Sequence, residues 1–404
     1  MNFAGMAGDP PICAYPIGSG GNPRWDGGGS LVAPLSPNFP DRKRASDITV
    51  SLADLRTDLV PTMEIIIIDE FHVPALEGAV RERLRAYGQL HVGPNAAADL
   101  WSIFYDAPYP RVKHGHLVAF HALAQVGSAG DLSAAIIDLQ PTERGLELIL
   151  GSANGDAWTI RVQLVDISFN DTRTIQDALE PGEGQDDAVV ILSWSLVDCA
   201  VRYGYASVPA TAGDARDVTL ADYLEALMSG PDLVKRVQET CEILQAWGIA
   251  NEVDCSEPDA AGFVALAAMA EMDARASRHV LGASGMPDFG GARVFFAAAG
   301  NDNLPFPMPP AGWPGIVGVE ACTWNVADRA GFSNAGAIPE LASSLAVRAL
   351  GAWFMAPVQR LADRDDPLGY FGTSFATPAA AVEYAAGPFV LEGQAGPVIL
   401  EPCQ

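Results

Sequence analysis

Basic residues are scarce in this chain: 24 Lys and Arg stand against 50 Asp and Glu, for a formal net charge of -26. So acidic a surface repels a nucleic-acid backbone and an anionic bilayer, and neither is expected as a partner. Charged residues of both signs amount to only 18% of the 404 residues while hydrophobic residues reach 49%, a balance that excludes a disordered chain or a coiled coil. No apolar run approaches the roughly 20 residues of a membrane helix; stretches such as 261–270 and 379–382 fall well short. The first thirty residues lack the basic start and apolar run of a secretory signal, so if Met1 is the native start the protein is expected in the cytoplasm. The six cysteines show no C-x-x-C pairing, which makes free thiols the expectation and a metal centre an unexpected finding. Nor is there a closely spaced loop of oxygen ligands to mark a calcium site. No cofactor is expected, and calcium from dispersed ligands is left open.

What is present is an alternation of strand-like and helix-like segments. Residues 1–60, rich in Gly, Pro and Ser, read as an irregular arm. Met63 to Ile68 (MEIIII) and Ala188 to Leu192 (AVVIL) have the unbroken apolar character of strands buried on both faces, as has Arg293 to Ala299 (RVFFAAA). Helical patterns over 74–87, 115–126, 174–180 and 376–384 lie between and after them. Such alternation predicts an α/β fold, a mostly parallel central sheet in a three-layer arrangement with helices on both faces. Residues 61–201 and 291–404 read as two parts of one domain with a short C-terminal tail. Between them, 202–290 reads as an acidic helical insertion with 14 acidic and 6 basic residues, a surface suited to a regulatory protein partner.

The segment Gly372-Thr373-Ser374-Phe375-Ala376-Thr377-Pro378 carries the strongest chemical signal. A small-residue turn opening into an Ala-rich helix sets Ser374 where backbone N–H groups and the helix dipole favour an oxyanion, and Pro378 is expected in the first helical turn, where its missing N–H costs little. A serine nucleophile needs a base, and His114 in Lys113-His114-Gly115-His116-Leu117 opens another predicted helix. Asp69 ends the isoleucine strand, at the carboxyl edge where the active residues of parallel sheets collect. The order Asp, His, Ser is one of the orders in which this triad recurs.

These motifs resemble those of the subtilisin-like serine proteases: GTSFATP resembles the family's serine motif and HGHLVA its histidine motif. The resemblance extends to Ala297-Ala298-Ala299-Gly300-Asn301-Asp302, and it implies that Asn301 is the side-chain donor to the oxyanion. Ala298, Ala299 and Gly300 would form the floor of the first specificity pocket. Ser193-Trp194-Ser195-Leu196 after AVVIL resembles the family's substrate edge, and Ser195, Leu196 and Val197 would pair antiparallel with an extended peptide. The implied activity is a serine endopeptidase acting on a peptide or protein substrate through an acyl-enzyme. Its alternatives are a catalytically degenerate scaffold protein and a peptide ligase or macrocyclase using the same acyl-enzyme. The sequence departs from the family pattern in that Glu70 and Phe71 replace a small polar residue and Gly after the aspartate, His116 and Leu117 follow the His-Gly pair, Phe120 stands at a glycine position, Val197 stands where Gly is common, and Asn301 follows Ser195 by 106 positions, with the acidic helical region filling the difference.

Overall fold

In the computed structural model, residues 12–16, 64–92, 113–128, 134–152, 158–168, 171–180, 188–198, 276, 280, 289, 293–301, 306–323, 326–330, 333–337, 345–354, 369–386 and 398–400 are described. Their elements run β1 (Ile12–Pro16), β2 (Glu64–Asp69), α1 (Val73–Tyr87), β3 (Leu90–His91), α2 (His114–Ser128), β4 (Ala134–Thr142), β5 (Gly145–Ser152) and β6 (Thr159–Asp166). They continue with α3 (Thr172–Leu179), β7 (Ala188–Leu192), β8 (Trp194–Asp198), β9 (Val294–Ala298), β10 (Ile316–Thr323), β11 (Val326–Arg329), β12 (Leu345–Leu350), β13 (Ala352–Phe354), β14 (Gly369–Phe371), α4 (Thr373–Ala386) and β15 (Val398–Ile399).

The main sheet orders its strands β15-β12-β10-β9-β7-β2-β6-β5-β4-β3, with β11 paired to β10. From β6 to β15 the neighbours along this order are parallel. The β6-β5-β4-β3 end is antiparallel, as is β11 on β10. This is an α/β fold with a mixed, mostly parallel central sheet. Alternate side chains of β2 show why its apolar run is unbroken: Ile65 and Ile67 enter one core with Leu117, Leu123, Phe375 and Ala380 of α2 and α4. Ile66 and Ile68 enter a second core with Ile175 and Leu179 of α3, Trp194 and Trp313. Both faces are covered, which makes three layers.

Several expectations shift against this structure. The segment 134–152, in which the sequence pattern predicts only a short strand over 147–150, is a long antiparallel hairpin, β4 on β5. Within the arm read as irregular, Ile12–Pro16 forms a strand. The apolar tail docks as β15 on β12, with Leu400 buried behind it. Cys322, fully buried in β10, is disulfide-bonded, which corrects the expectation of free thiols: spacing along a sequence does not report proximity in the fold. The predicted helices of 202–290 lie outside the described residues, apart from Ala276, Val280 and Phe289, all buried against the second core. Among the described residues, no helix is long and apolar enough to cross a membrane, and no group of His, Cys, Asp and Glu is arranged to hold a metal ion.

One buried carboxylate braces the β10-β12 half. Glu320, 4% exposed, accepts the Gly336 N–H at 2.9 Å through Oε1 and the Arg348 Nε–H at 2.7 Å through Oε2. Glu320→Ala removes the acceptor for both donors at a desolvated site, where breaking such a pair costs about 3 kcal/mol. Urea unfolding of the variant should show that loss of stability; a loss below about 1 kcal/mol would show that the pair contributes little.

Candidate active site

The carboxyl ends of the central strands meet the N-termini of α2 and α4, and this brings Asp69, His114, Asn301 and Ser374 into one region. Asp69 closes β2 with no solvent exposure. A carboxylate buried there needs donors, and it has them: the Glu70 N–H at 2.7 Å to Oδ1, and the His114 ring, whose Nδ1 lies 2.9 Å from Oδ2 and 3.1 Å from Oδ1. Because the carboxylate can only accept, it holds the proton on Nδ1 and leaves Nε2 with a lone pair. Nε2 is buried and has no hydrogen-bond partner.

The glycine after this histidine has a packing reason. A Cβ on Gly115 would stand 2.7 Å from the Glu70 carbonyl oxygen and 3.0 Å from Cβ of Asp69. Only a hydrogen at that position lets α2 approach the end of β2 closely enough for His114 to reach Asp69. The Gly115 N–H donates to the same Glu70 carbonyl at 3.2 Å.

The unusual Glu70-Phe71 pair is accommodated by partners that were not identifiable along the sequence. Phe71 is buried, and its N–H donates to Asp166 Oδ1 at 2.8 Å, Asp166 being the neighbour of Asp69 across β2 and β6. Partial desolvation, followed by the charges of Glu70 and Asp69, pushes the Asp166 carboxyl up to about 6, against a lowering by the Phe71 N–H and Lys113. Glu70 pairs with Lys113 at 2.8 Å. His116 is a neutral ring: its burial, then His72 and Lys113, take its pKa down to about 3. Its nitrogens lie 3.1 and 3.2 Å from the backbone nitrogens of Lys113 and His72, and a neutral imidazole accepts from one of these. His121, one turn further along α2, is also neutral, its pKa lowered to about 3 chiefly by burial, and meets the Phe375 ring edge-on at 6.0 Å.

Ser374 is the second residue of α4 and is fully buried. Its hydroxyl donates to the Ser193 carbonyl at 2.8 Å, while the Ser193 hydroxyl donates to the Ser374 carbonyl at 3.1 Å. Ser193 opens the Ser-Trp-Ser-Leu segment whose resemblance points to peptide pairing; nothing in that resemblance points to a contact with Ser374. Pro378 is the sixth residue of α4, not part of its first turn, because the helix begins at Thr373 and not at Ala376.

Asn301 faces the same helix. Its Oδ1 accepts the Thr373 N–H at 2.9 Å and the Thr373 hydroxyl at 3.2 Å, and the hydroxyl in turn accepts the Gly300 N–H at 3.2 Å. A backbone N–H can only donate, so the amide's carbonyl end is fixed and its Nδ2 is the opposite end. The chain reaches this position through Gly300 at φ 117°, a left-handed conformation that favours glycine. Ala298 and Ala299 are fully buried, and the Ala299 carbonyl is taken by Met308 N–H at 2.8 Å and Asn334 Nδ2 at 3.1 Å.

The edge formed by Ser195, Leu196 and Val197 lies in β8, and β1 is paired to it antiparallel: Cys13 opposite Val197, Ala14 opposite Leu196, Tyr15 opposite Ser195, Pro16 opposite Trp194. Ser195 and Leu196 are fully buried, and Ser195 Oγ has no hydrogen-bond partner.

No family model and no curated protein matches this chain. Among solved structures it is similar to the prenylagaramide maturation protease PagA, at 12% identity and a TM-score of 0.30, covering 80% of this chain and 74% of that one. The patellamide maturation protease PatG is 14% identical with a TM-score of 0.26, and the PatG macrocyclase domain 15% identical with a TM-score of 0.30; each comparison covers 83% of this chain and 79% of the other. Likenesses this weak assign no activity.

Asp166 gives the site a pH-dependent strain. Its native pKa stands above the ordinary carboxylate value of 3.8, so the folded chain holds the proton more tightly than the unfolded chain, and stability falls as pH rises from about 4 through about 6. Asp166→Asn keeps an acceptor for Phe71 and removes the charge. Relative to wild type, the variant is expected to gain up to about 1 kcal/mol between pH 4 and 7, a figure already discounted for the exposed part of the residue. Chemical unfolding at both pH values measures this, and a wild-type-minus-variant difference independent of pH refutes it.

Proposed function

We propose that this chain is a serine endopeptidase of the subtilisin-like kind, with Ser374 as nucleophile, His114 as general base and Asp69 as the residue that orients the base. The observation that supports it most is the buried Asp69–His114 pair, which fixes the imidazole tautomer and leaves a basic nitrogen unengaged. A helix starting at Thr373 with a serine as its second residue supplies the rest of the motif. In the proposed reaction Ser374 Oγ attacks the scissile carbonyl carbon as its proton passes to His114 Nε2. The same proton then goes to the leaving amine as the C–N bond breaks. Water repeats the sequence on the ester and releases the acid. The Asn301 amide group is the proposed side-chain donor to the oxyanion, a kind of contact whose loss typically costs about 2.7 to 4 kcal/mol at the transition state. Ala298, Ala299 and Gly300 are proposed to line the first specificity pocket, small residues that suit an apolar side chain before the scissile bond. An amine in place of water would make the same acyl-enzyme a ligase, and product mass separates the two outcomes.

A fluorophosphonate probe tests the nucleophile directly. Wild type should take the adduct on Ser374 and Ser374→Ala none; Asp69→Asn, with the wrong His114 tautomer, should react at least about a thousandfold more slowly. Equal labelling of the alanine variant would sink the reading.

If Ser195, Leu196 and Val197 receive an extended peptide, that peptide competes with β1 for one row of backbone groups. Shortening the chain to begin at Ile17 should therefore lower KM for an extended peptide several-fold, with a smaller change in kcat, since a tethered strand acts as a competitor at millimolar effective concentration. An unchanged or raised KM would place peptide binding elsewhere.

A further inference from the structure

The reciprocal contact between Ser193 and Ser374 has a cause four residues further along the helix. In a regular α-helix the Ser374 carbonyl would accept the N–H of residue 378. That residue is Pro378, which has no N–H, inside α4. A carbonyl left without a donor in a fully buried position is costly. The Ser193 hydroxyl, 3.1 Å away and itself fully buried, fills the vacancy.

The same residue acts on the nucleophile a second way. Ser374 has one hydroxyl proton, and it is given to the Ser193 carbonyl at 2.8 Å. While that bond stands, the proton is not donated to His114 Nε2, which is buried without a hydrogen-bond partner. The next residue ties this arrangement to the other end of the triad: the Trp194 indole N–H donates to the Ile68 carbonyl at 2.7 Å, immediately before Asp69. Ser193 and Trp194 thus connect the start of α4 with the end of β2 through two adjacent, fully buried side chains.

We propose that Ser193 is a positioning residue for Ser374: its hydroxyl replaces the helix hydrogen bond that Pro378 cannot make, and its carbonyl holds the nucleophile's hydroxyl in a resting orientation from which it turns to His114. The proposal rests on Ser374 being the nucleophile. It assigns a function to a serine outside the triad and gives Pro378 a partner 185 positions away in sequence, 378 minus 193.

The test exploits that pairing. In full-length protein, the rate of fluorophosphonate adduct formation on Ser374 and the melting temperature are measured for wild type, Ser193→Ala, Ser193→Thr, and the double variant Ser193→Ala with Pro378→Ala. Loss of one buried hydrogen bond to the helix start should slow labelling by Ser193→Ala about tenfold. Ser193→Thr keeps the hydroxyl and should stay within about threefold of wild type. The double variant supplies an N–H at position 378 and should recover most of the lost rate, which a general loosening of the fold would not do. Should Ser193→Ala fail to fold, recovery of a folded, labelling-competent double variant supports the proposal equally. Wild-type labelling by Ser193→Ala, or a double variant no better than the single, overturns it. A wild type that takes no adduct on Ser374 overturns the nucleophile reading itself and with it this role, a result distinct from normal wild-type labelling with an unaffected Ser193→Ala.

Discussion

A carboxylate with no solvent exposure must be met by donors on every side that water has left, and Asp69 imposes that requirement on the elements around it. It stands at the end of a strand whose four isoleucines are buried on both faces of the sheet, so the backbone beneath it has little room to shift. Its donors come from the turn that follows and from His114 on α2. The helix can deliver that histidine only by passing close to the turn, which excludes any side chain at position 115. The turn in turn is closed by Asp166 at the end of β6 and by the buried Phe71. Strand, turn, glycine and helix are thus one unit, arranged around a charge that has been removed from water.

The second unit is the start of α4, where three neighbouring groups act on two residues. Asn301 and Gly300 engage Thr373; Ser193 engages Ser374. A helix N-terminus leaves backbone donors unsatisfied, and capping by side chains from distant strands serves both to satisfy them and to fix the helix in position. Asn301 in particular caps the helix through its carbonyl end, so the orientation of its amide follows from the fold and does not wait for a ligand.

Much of this could be read from residue order. MEIIII, AVVIL and RVFFAAA announce strands because a two-faced burial leaves no polar position in the run, and His-Gly and Gly-Thr-Ser mark the two helix starts. Of the β4-β5 hairpin only 147–150 is legible as a strand, because the alternation of β4 is broken: the register shifts between Ile136 and Asp138, which leaves Ile137 exposed beside Asp138, and the Thr-Glu-Arg-Gly connection lacks the Asn-Gly or Asp-Gly signature of a tight turn. Starting α4 three residues too late hid the role of Pro378, since a proline in the first turn needs no substitute donor and a proline at the sixth position does. Asp166 acts on Phe71, far away in sequence, and belongs to no motif. Ser193 lies in the Ser-Trp-Ser-Leu segment, but that segment points to peptide pairing, and its contact with Ser374 is visible only once the sheet and α4 are assembled.

The two ends of β8 then bear on one question, how an occupied site becomes available. At its start, beside Ser193, the nucleophile's proton is engaged by a backbone carbonyl. Along its edge, the residues proposed to receive a peptide are paired with β1 of the same chain. Register relates the two: β1 runs antiparallel to β8, so it advances toward Ser193, and its last residue, opposite Trp194, is Pro16. The Leu196 N–H donates to the Pro309 carbonyl at 2.8 Å, away from β1. Bonded and non-bonded pairs alternate along an antiparallel ladder, so the backbone groups that β8 turns toward β1 are those of Ser195 and Val197, opposite Tyr15 and Cys13. The edge nearest the nucleophile is thus held by β1 as far as Ser195, two residues from Ser193. Under the proposed function an incoming peptide has to replace both pairings against a tethered competitor. A short peptide offers too few bonds for that, so displacement draws on contacts further along the cleft, and selectivity for extended peptides follows from the competition itself.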